Sequence, residues 1–176
     1  CNLGIEYRAN TTKTTLINMT NHSYFNLDGH DAGSVNDLEL QLFAPMTTVV
    51  GEGLIPTGEV IPTKDLVYNF LKPTRIGDVL AHTDTDPDMK PAGGVDFNYC
   101  AGRDGETKCI AVLYSPKTGR EMKVITDMPA VQIYTGQGLH HHGKDGAAYP
   151  SCAGVCLETQ RYPDVIHHPF LSSEFR

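Results

Sequence analysis

Hydrophobic and polar residues alternate with a period of two along most of this chain, the spacing that sends successive side chains to opposite faces of a strand. Leu38, Leu40 and Leu42 interleave with Asp37, Glu39 and Gln41, which predicts a strand with one buried and one wet face. Cys109, Ala111 and Leu113 alternate against Ile110, Val112 and Tyr114, so that strand is expected to be covered on both faces. Residues 122–126, 131–134 and 155–159 predict further strands. Leu3, Ile5, Tyr7 and Ala9 alternate as well, and the chain opens on Cys1 with no methionine or leader before this pattern. A strand is therefore expected at the very start, with the natural N-terminus missing or a precursor processed. Only residues 74–81 suit a helical turn or two. The pattern predicts an all-β protein.

Turn chemistry falls between these segments. Asp28-Gly29, Gly51-Glu52-Gly53, Gly93-Gly94, Asp104-Gly105 and Lys117-Thr118-Gly119 are combinations that favour tight reversals. Residues 114–120 predict a hairpin. The polar stretch 82–94 predicts an exposed loop. Its Asp84, Asp86 and Asp88 resemble the opening of a calcium loop, but the glycine and terminal glutamate such a loop needs are absent. With no internal repeat or interdomain linker, residues 1–176 are read as one domain.

Composition narrows the classes of function. At 176 residues, 40% of them hydrophobic, the chain is long enough to bury a core. A formal charge of −7 argues against a nucleic-acid partner, which calls for a basic stripe. No apolar run approaches the roughly 18 residues of a membrane span. Five cysteines are an odd number at low density, which fits a reducing compartment and a cytoplasmic location. Asn-x-Ser/Thr sequons begin at Asn10, Asn18 and Asn21. They lie in strand-like sequence, so they are expected to stay unmodified.

Candidate chemistry rests on carboxylates, histidines and cysteines. Gly136-Gln137-Gly138 lacks the third glycine of a nucleotide fingerprint, and no Gly-x-Ser-x-Gly elbow occurs. Glu158 follows Val155, Cys156 and Leu157, so it is expected to be partly desolvated and a better proton acceptor near neutral pH. A solvated glutamate on an edge strand fits those residues equally well. His22, in Asn21-His22-Ser23-Tyr24-Phe25-Asn26-Leu27, suits either an acid or a hydrogen-bonded structural residue. His140-His141-His142 and His167-His168, with Cys152 and Cys156, suggest a metal at first sight. Adjacent strand residues point to opposite faces, and Cys-x3-Cys departs from the common zinc-ribbon spacing, so no metal site is expected there.

Five segments, in order, resemble those of the aldose 1-epimerases. They are residues 21–27 quoted above, Leu54-Ile55-Pro56-Thr57-Gly58-Glu59, Gly94-Val95-Asp96-Phe97-Asn98, Pro129-Ala130-Val131-Gln132-Ile133-Tyr134-Thr135-Gly136, and Cys156-Leu157-Glu158-Thr159-Gln160 with Pro163-Asp164. The resemblance spans nearly the whole chain. It implies a large antiparallel β-sandwich, incomplete here, that interconverts the α and β anomers of hexoses such as galactose and glucose. It further implies Glu158 as general base, His22 as general acid, Asp96 and Gln132 as sugar-binding residues, a monosaccharide substrate, and no cofactor. It also implies that a second active-site histidine and a substrate-binding arginine lie upstream of the region matching Cys1, and that a final strand follows Phe170-Leu171-Ser172-Ser173.

The chain departs from the family pattern at Phe97, where a histidine is usual. It departs again at Gln137-Gly138, where Asn-Phe is usual, a change expected to loosen a loop beside the site. Two other readings stand beside the epimerase. One is a sugar-binding protein without turnover. The other is a glycosidase pairing Glu158 with an aspartate such as Asp96 at a defined separation.

Overall fold

The computed structural model describes residues 1–169. Its strands are β1 (Tyr24–Phe25), β2 (Glu39–Leu42), β3 (Met46–Val50), β4 (Pro56–Pro62), β5 (Thr74–Arg75), β6 (Asp96–Cys100), β7 (Lys108–Tyr114), β8 (Glu121–Thr126), β9 (Ala130–Tyr134), β10 (His141–His142), β11 (Ala148–Tyr149) and β12 (Val155–Gln160). Two short helices, α1 (Ile76–Leu80) and α2 (Met89–Ala92), lie between β5 and β6. A six-stranded sheet runs β1-β12-β9-β6-β3-β4, a four-stranded sheet runs β5-β2-β7-β8, and β10 pairs with β11. Every pairing is antiparallel.

The two large sheets share one core. Leu40 and Leu42 of β2 and Ile110, Ala111 and Leu113 of β7 meet Phe97, Tyr99, Val131, Ile133, Val155 and Leu157 of the six-stranded sheet. Burying a leucine-sized side chain is worth roughly 1.5–3 kcal/mol, so this alternation is what holds the sheets face to face. The result is the antiparallel β-sandwich architecture predicted above. The 114–120 hairpin also forms, with Tyr114 opposite Glu121, and the helical turn predicted within 74–81 is α1.

Four expectations change. Residues 1–21 form no strand, and Leu3, Ile5 and Tyr7 are 77%, 48% and 42% exposed. A strand needs a paired neighbour and a face to bury, and residues 1–18 are exposed along their whole length. The sequons at Asn10 and Asn18 therefore sit in exposed, irregular chain rather than in strands. The Asn18 amide itself substitutes for a strand neighbour, donating to the Arg161 carbonyl and accepting from the Arg161 N–H, both at 2.9 Å. On β7, a register shift between Cys109 and Ala111 buries both Ile110 and Ala111, while Cys109, Val112 and Tyr114 are only half-buried. One face is thus packed and the other partly wet. The polar 82–94 stretch contains α2, whose Met89 is fully buried. Asp86 accepts from the N–H groups of Asp88 and Met89 at 3.0 and 2.9 Å, an arrangement in which an aspartate side chain starts a helical turn.

Candidate active site

Strand register assembles the site. Residues directly opposite one another across an antiparallel pair share a face. On β12, β9 and β6, Glu158 stands opposite Gln132 and Gln132 opposite Asn98. The neighbouring row is Cys156, Tyr134 and Asp96, extended by Tyr24 of β1 opposite Cys156. Continuing the β1–β12 register back two residues from Tyr24 sets His22 level with Glu158. Val155, Leu157, Ile133, Val131, Phe97 and Tyr99 occupy the alternate positions and enter the core. One face of the sheet is therefore packed, and the other carries a carboxylate pair, amides, a thiol and phenols.

Local geometry fixes this face. The Asn21 side chain accepts from the Ser23 N–H at 3.1 Å, turning the chain into β1. The Asn26 amide then donates to the carbonyls of Gly33 and Ala153 at 3.0 and 3.1 Å, tying the end of β1 to the start of β12. After β9 the chain turns at Gly136, with φ +69°, where a Cβ would collide with the Gly154 carbonyl. Glycine is required there on both counts.

The polar face lines a cavity of about 520 Å³ that His22, Asp96, Gln132 and Glu158 all reach. Glu158 is 8% exposed, and its Oε1 lies 3.5 Å from Nε2 of His22, whose side chain is 52% exposed. The other ring nitrogen, Nδ1, lies 3.3 Å from Sγ of Cys156. Gln132 Nε2 donates to Asp96 Oδ1 at 2.7 Å. Burial pushes the Glu158 carboxyl above its ordinary range, the negative charge of Asp96 adds to that, and His22 opposes it. Asp96 is raised as well, first by burial, against the Gln132 hydrogen bond and His22. The Cys156 thiol is held strongly protonated by burial and by the carboxylates of Glu158 and Asp96.

All four residues singled out from sequence thus come together in one cavity. Sequence reasoning missed Tyr24, Asn98, Tyr134 and the placement of Cys156 beside His22. The signal was present, since each stands two residues from a residue already named and therefore on the same strand face. Asn98 is 2% exposed and its Oδ1 has no hydrogen-bond partner. A buried carbonyl oxygen in that state is costly unless a ligand or water supplies a donor. Thr48, from β3, also lines the cavity, and only the tertiary fold brings it there.

The two departures from the family pattern have structural explanations. Phe97 points into the core and stacks on Tyr68, with ring centroids 4.2 Å apart and planes at 15°. Position 97 is therefore on the packed face. Gln137 ties its loop down instead of loosening it. Its Oε1 accepts from Thr135 at 2.8 Å and its Nε2 donates to the Ala92 carbonyl at 3.0 Å. The histidines of β10 are exposed and pair with Tyr149 and Ala148 across a two-stranded ribbon. The final strand expected after Phe170–Ser173 falls outside the described residues.

Comparison with known proteins bears on all of this. A human galactose mutarotase is 38% identical over 167 residues, covering 94% of this chain and 47% of its own length. The aldose 1-epimerase of Haemophilus influenzae is 30% identical over 167 residues, covering 94% and 48%. The chain thus spans about half the length of these relatives, matching their C-terminal portion. The crystal structure of a galactose 1-epimerase from Lactobacillus acidophilus superposes with a TM-score of 0.67 at 27% identity, over 83% of this chain and 40% of that one. An aldose epimerase homologue from C. elegans gives the same TM-score at 25% identity, over 82% and 42%. The aldose 1-epimerase family model matches residues 1–173. This chain belongs to the aldose 1-epimerase family.

Proposed function

We propose that the cavity over β6, β9 and β12 opens and recloses hexopyranose rings such as those of galactose and glucose, with Glu158 as base and His22 as acid. Glu158 takes the proton from the anomeric hydroxyl as the C1–O1 double bond forms. The ring C–O bond breaks, its electron pair stays on the ring oxygen, and that oxygen takes a proton from His22. Rotation about C1–C2 and the reverse transfers close the opposite anomer and return both residues to their starting states. Asp96 and Gln132 hold substrate hydroxyls.

The observation that carries this reading is a desolvated carboxylate 3.5 Å from an imidazole on the wall of a polar cavity. A base is most effective when its pKa lies near the working pH, and burial moves Glu158 in that direction. Each positioned acid or base is typically worth about 10²–10⁴ in rate, and the step needs no electron acceptor. We further propose that residues 1–176 belong to a single sandwich domain and that the protein is cytoplasmic. All five cysteines are free, which suits a reducing compartment, and no helix among the described residues is long and apolar enough to cross a membrane.

One observation favours a second reading, sugar binding without turnover: the His22 side chain is 52% exposed and the acid is thus only partly shielded from water. Polarimetry of freshly dissolved α-D-galactose separates the two. Catalysis predicts that the chain speeds relaxation above the buffer rate and that His22→Gln loses most of that gain. Saturable galactose binding with relaxation at the buffer rate would establish the second reading. Release of nitrophenol from a nitrophenyl galactoside would instead point to the glycosidase.

A further inference from the structure

His22, Cys156 and Glu158 each offer one donor atom, and the three atoms lie within 4.8 Å of one another. We propose that this trio binds a thiophilic divalent metal ion such as Zn2+, and that its occupancy shuts the cavity to sugar. The shut-off half rests on the ring-opening reading above; the binding half does not.

Geometry comes first. Zinc sits about 2.0–2.2 Å from a ring nitrogen or carboxylate oxygen, so at a tetrahedral angle those two ligands stand roughly 3.4 Å apart. His22 Nε2 and Glu158 Oε1 are 3.5 Å apart. Zinc lies about 2.3 Å from a thiolate sulfur, which sets sulfur and nitrogen roughly 3.5 Å apart. Cys156 Sγ and His22 Nδ1 are 3.3 Å apart. One ion uses one ring nitrogen, so the imidazole must pivot to bring its chosen nitrogen between both partners. A side chain that is 52% exposed has the room to do so, while Cys156 and Glu158 are held by β12.

The donor set then selects the ion. Mg2+ and Ca2+ require oxygen ligands, whereas a mixed sulfur, nitrogen and oxygen set suits zinc and its heavier relatives. Electrostatics act in the same direction. Two carboxylates, Glu158 and Asp96, line the same cavity, and their negative charge favours a dication there. The S–H proton leaves to solvent as the sulfur–metal bond forms, so binding tightens as pH rises. In the loaded state the Glu158 lone pair and one ring nitrogen of His22 are committed to the ion, leaving neither the base nor the acid free.

Cobalt(II) makes the site visible. Titration of the purified chain with Co2+ is expected to raise a near-ultraviolet sulfur-to-cobalt charge-transfer band with visible bands of four-coordinate cobalt, bleached by Zn2+. Cys156→Ser should abolish the sulfur band, Cys1→Ser should keep it, and His22→Gln, at a half-exposed position, should weaken cobalt binding at least tenfold. No sulfur band in the wild-type chain, or one that survives Cys156→Ser, overturns the site. Should Cys156→Ser not fold by circular dichroism, unchanged affinity in His22→Gln overturns it. Zn2+ at the bleaching concentration should also slow polarimetric relaxation, and EDTA should restore it. Relaxation unaffected at saturating Zn2+ overturns the shut-off. A chain that never turns over sugar counts against the proposed function, and the cobalt spectrum still decides the site.

Discussion

Leu157 and Glu158 are consecutive residues of one strand, both nearly buried at 6% and 8% exposed, yet their environments are opposite. Leu157 enters the core between the sheets. Glu158 enters a polar cavity beside an imidazole, with its carboxyl raised by burial. The same division runs through Phe97 against Asp96 and Ile133 against Gln132. One face of the sheet removes apolar area from water and stabilises the fold. The other holds carboxyl groups in partial desolvation, which destabilises the fold and raises their affinity for protons. A half-buried sheet thus presents a packed core and a polar cavity from alternate residues of the same strands.

The most disruptive way to break this comparison is to put the same carboxylate on the wrong face. Leu157→Glu buries an unpaired charge in the core, a change expected to cost more than about 4–5 kcal/mol. Circular dichroism should show no cooperative unfolding transition; a stable, cooperative variant would mean that this face is not packed as described. A milder probe is Ile133→Ala, at a fully buried position. It is expected to cost about 2–5 kcal/mol, read as a lower urea midpoint with an unchanged slope.

A smaller effect sharpens the other side of the comparison. The folded chain holds the Glu158 proton above the ordinary glutamate value of 4.5, so it binds protons that the unfolded chain releases. That contribution to stability is fully present below the unfolded value and is lost as pH rises through the folded one. Glu158→Gln removes the dependence. Urea midpoints of the two chains should therefore differ more at about pH 7 than at about pH 4, with the variant the more stable at the higher pH. For the same reason, the acid limb of kcat/KM should lie above the ordinary glutamate value.

Much of this arrangement was legible in the sequence because it follows from alternation. Leu38, Leu40 and Leu42 identify a core face without any structure, whereas Val155, Cys156 and Leu157 left Glu158 open to a desolvated or a solvated reading, and the fold shows it buried. The same rule misled at residues 3–9, where alternation is present but no strand among the described residues pairs with it, since a pattern records what a segment is able to bury and not whether a partner is there. Stepping two residues from Asp96, Gln132 and Glu158 would have found Asn98, Tyr134 and Cys156. The level placement of His22 and Glu158 depends on the β1–β12 register, which is a long-range pairing that local sequence does not encode. The Gln137 tether was hidden for the same reason, because its partner Ala92 belongs to α2, far away in sequence.

The central claim is that Glu158 serves chemistry at the expense of stability, and one variant tests both halves together. Glu158→Gln should be measured by polarimetry on α-D-galactose and by urea denaturation in the same buffer near neutral pH. The account predicts a relaxation rate lowered by about 10²–10⁴ relative to the wild-type chain, with a urea midpoint equal or higher. A variant that relaxes galactose as fast as the wild type, or that loses its activity only because it unfolds at lower urea, would contradict it.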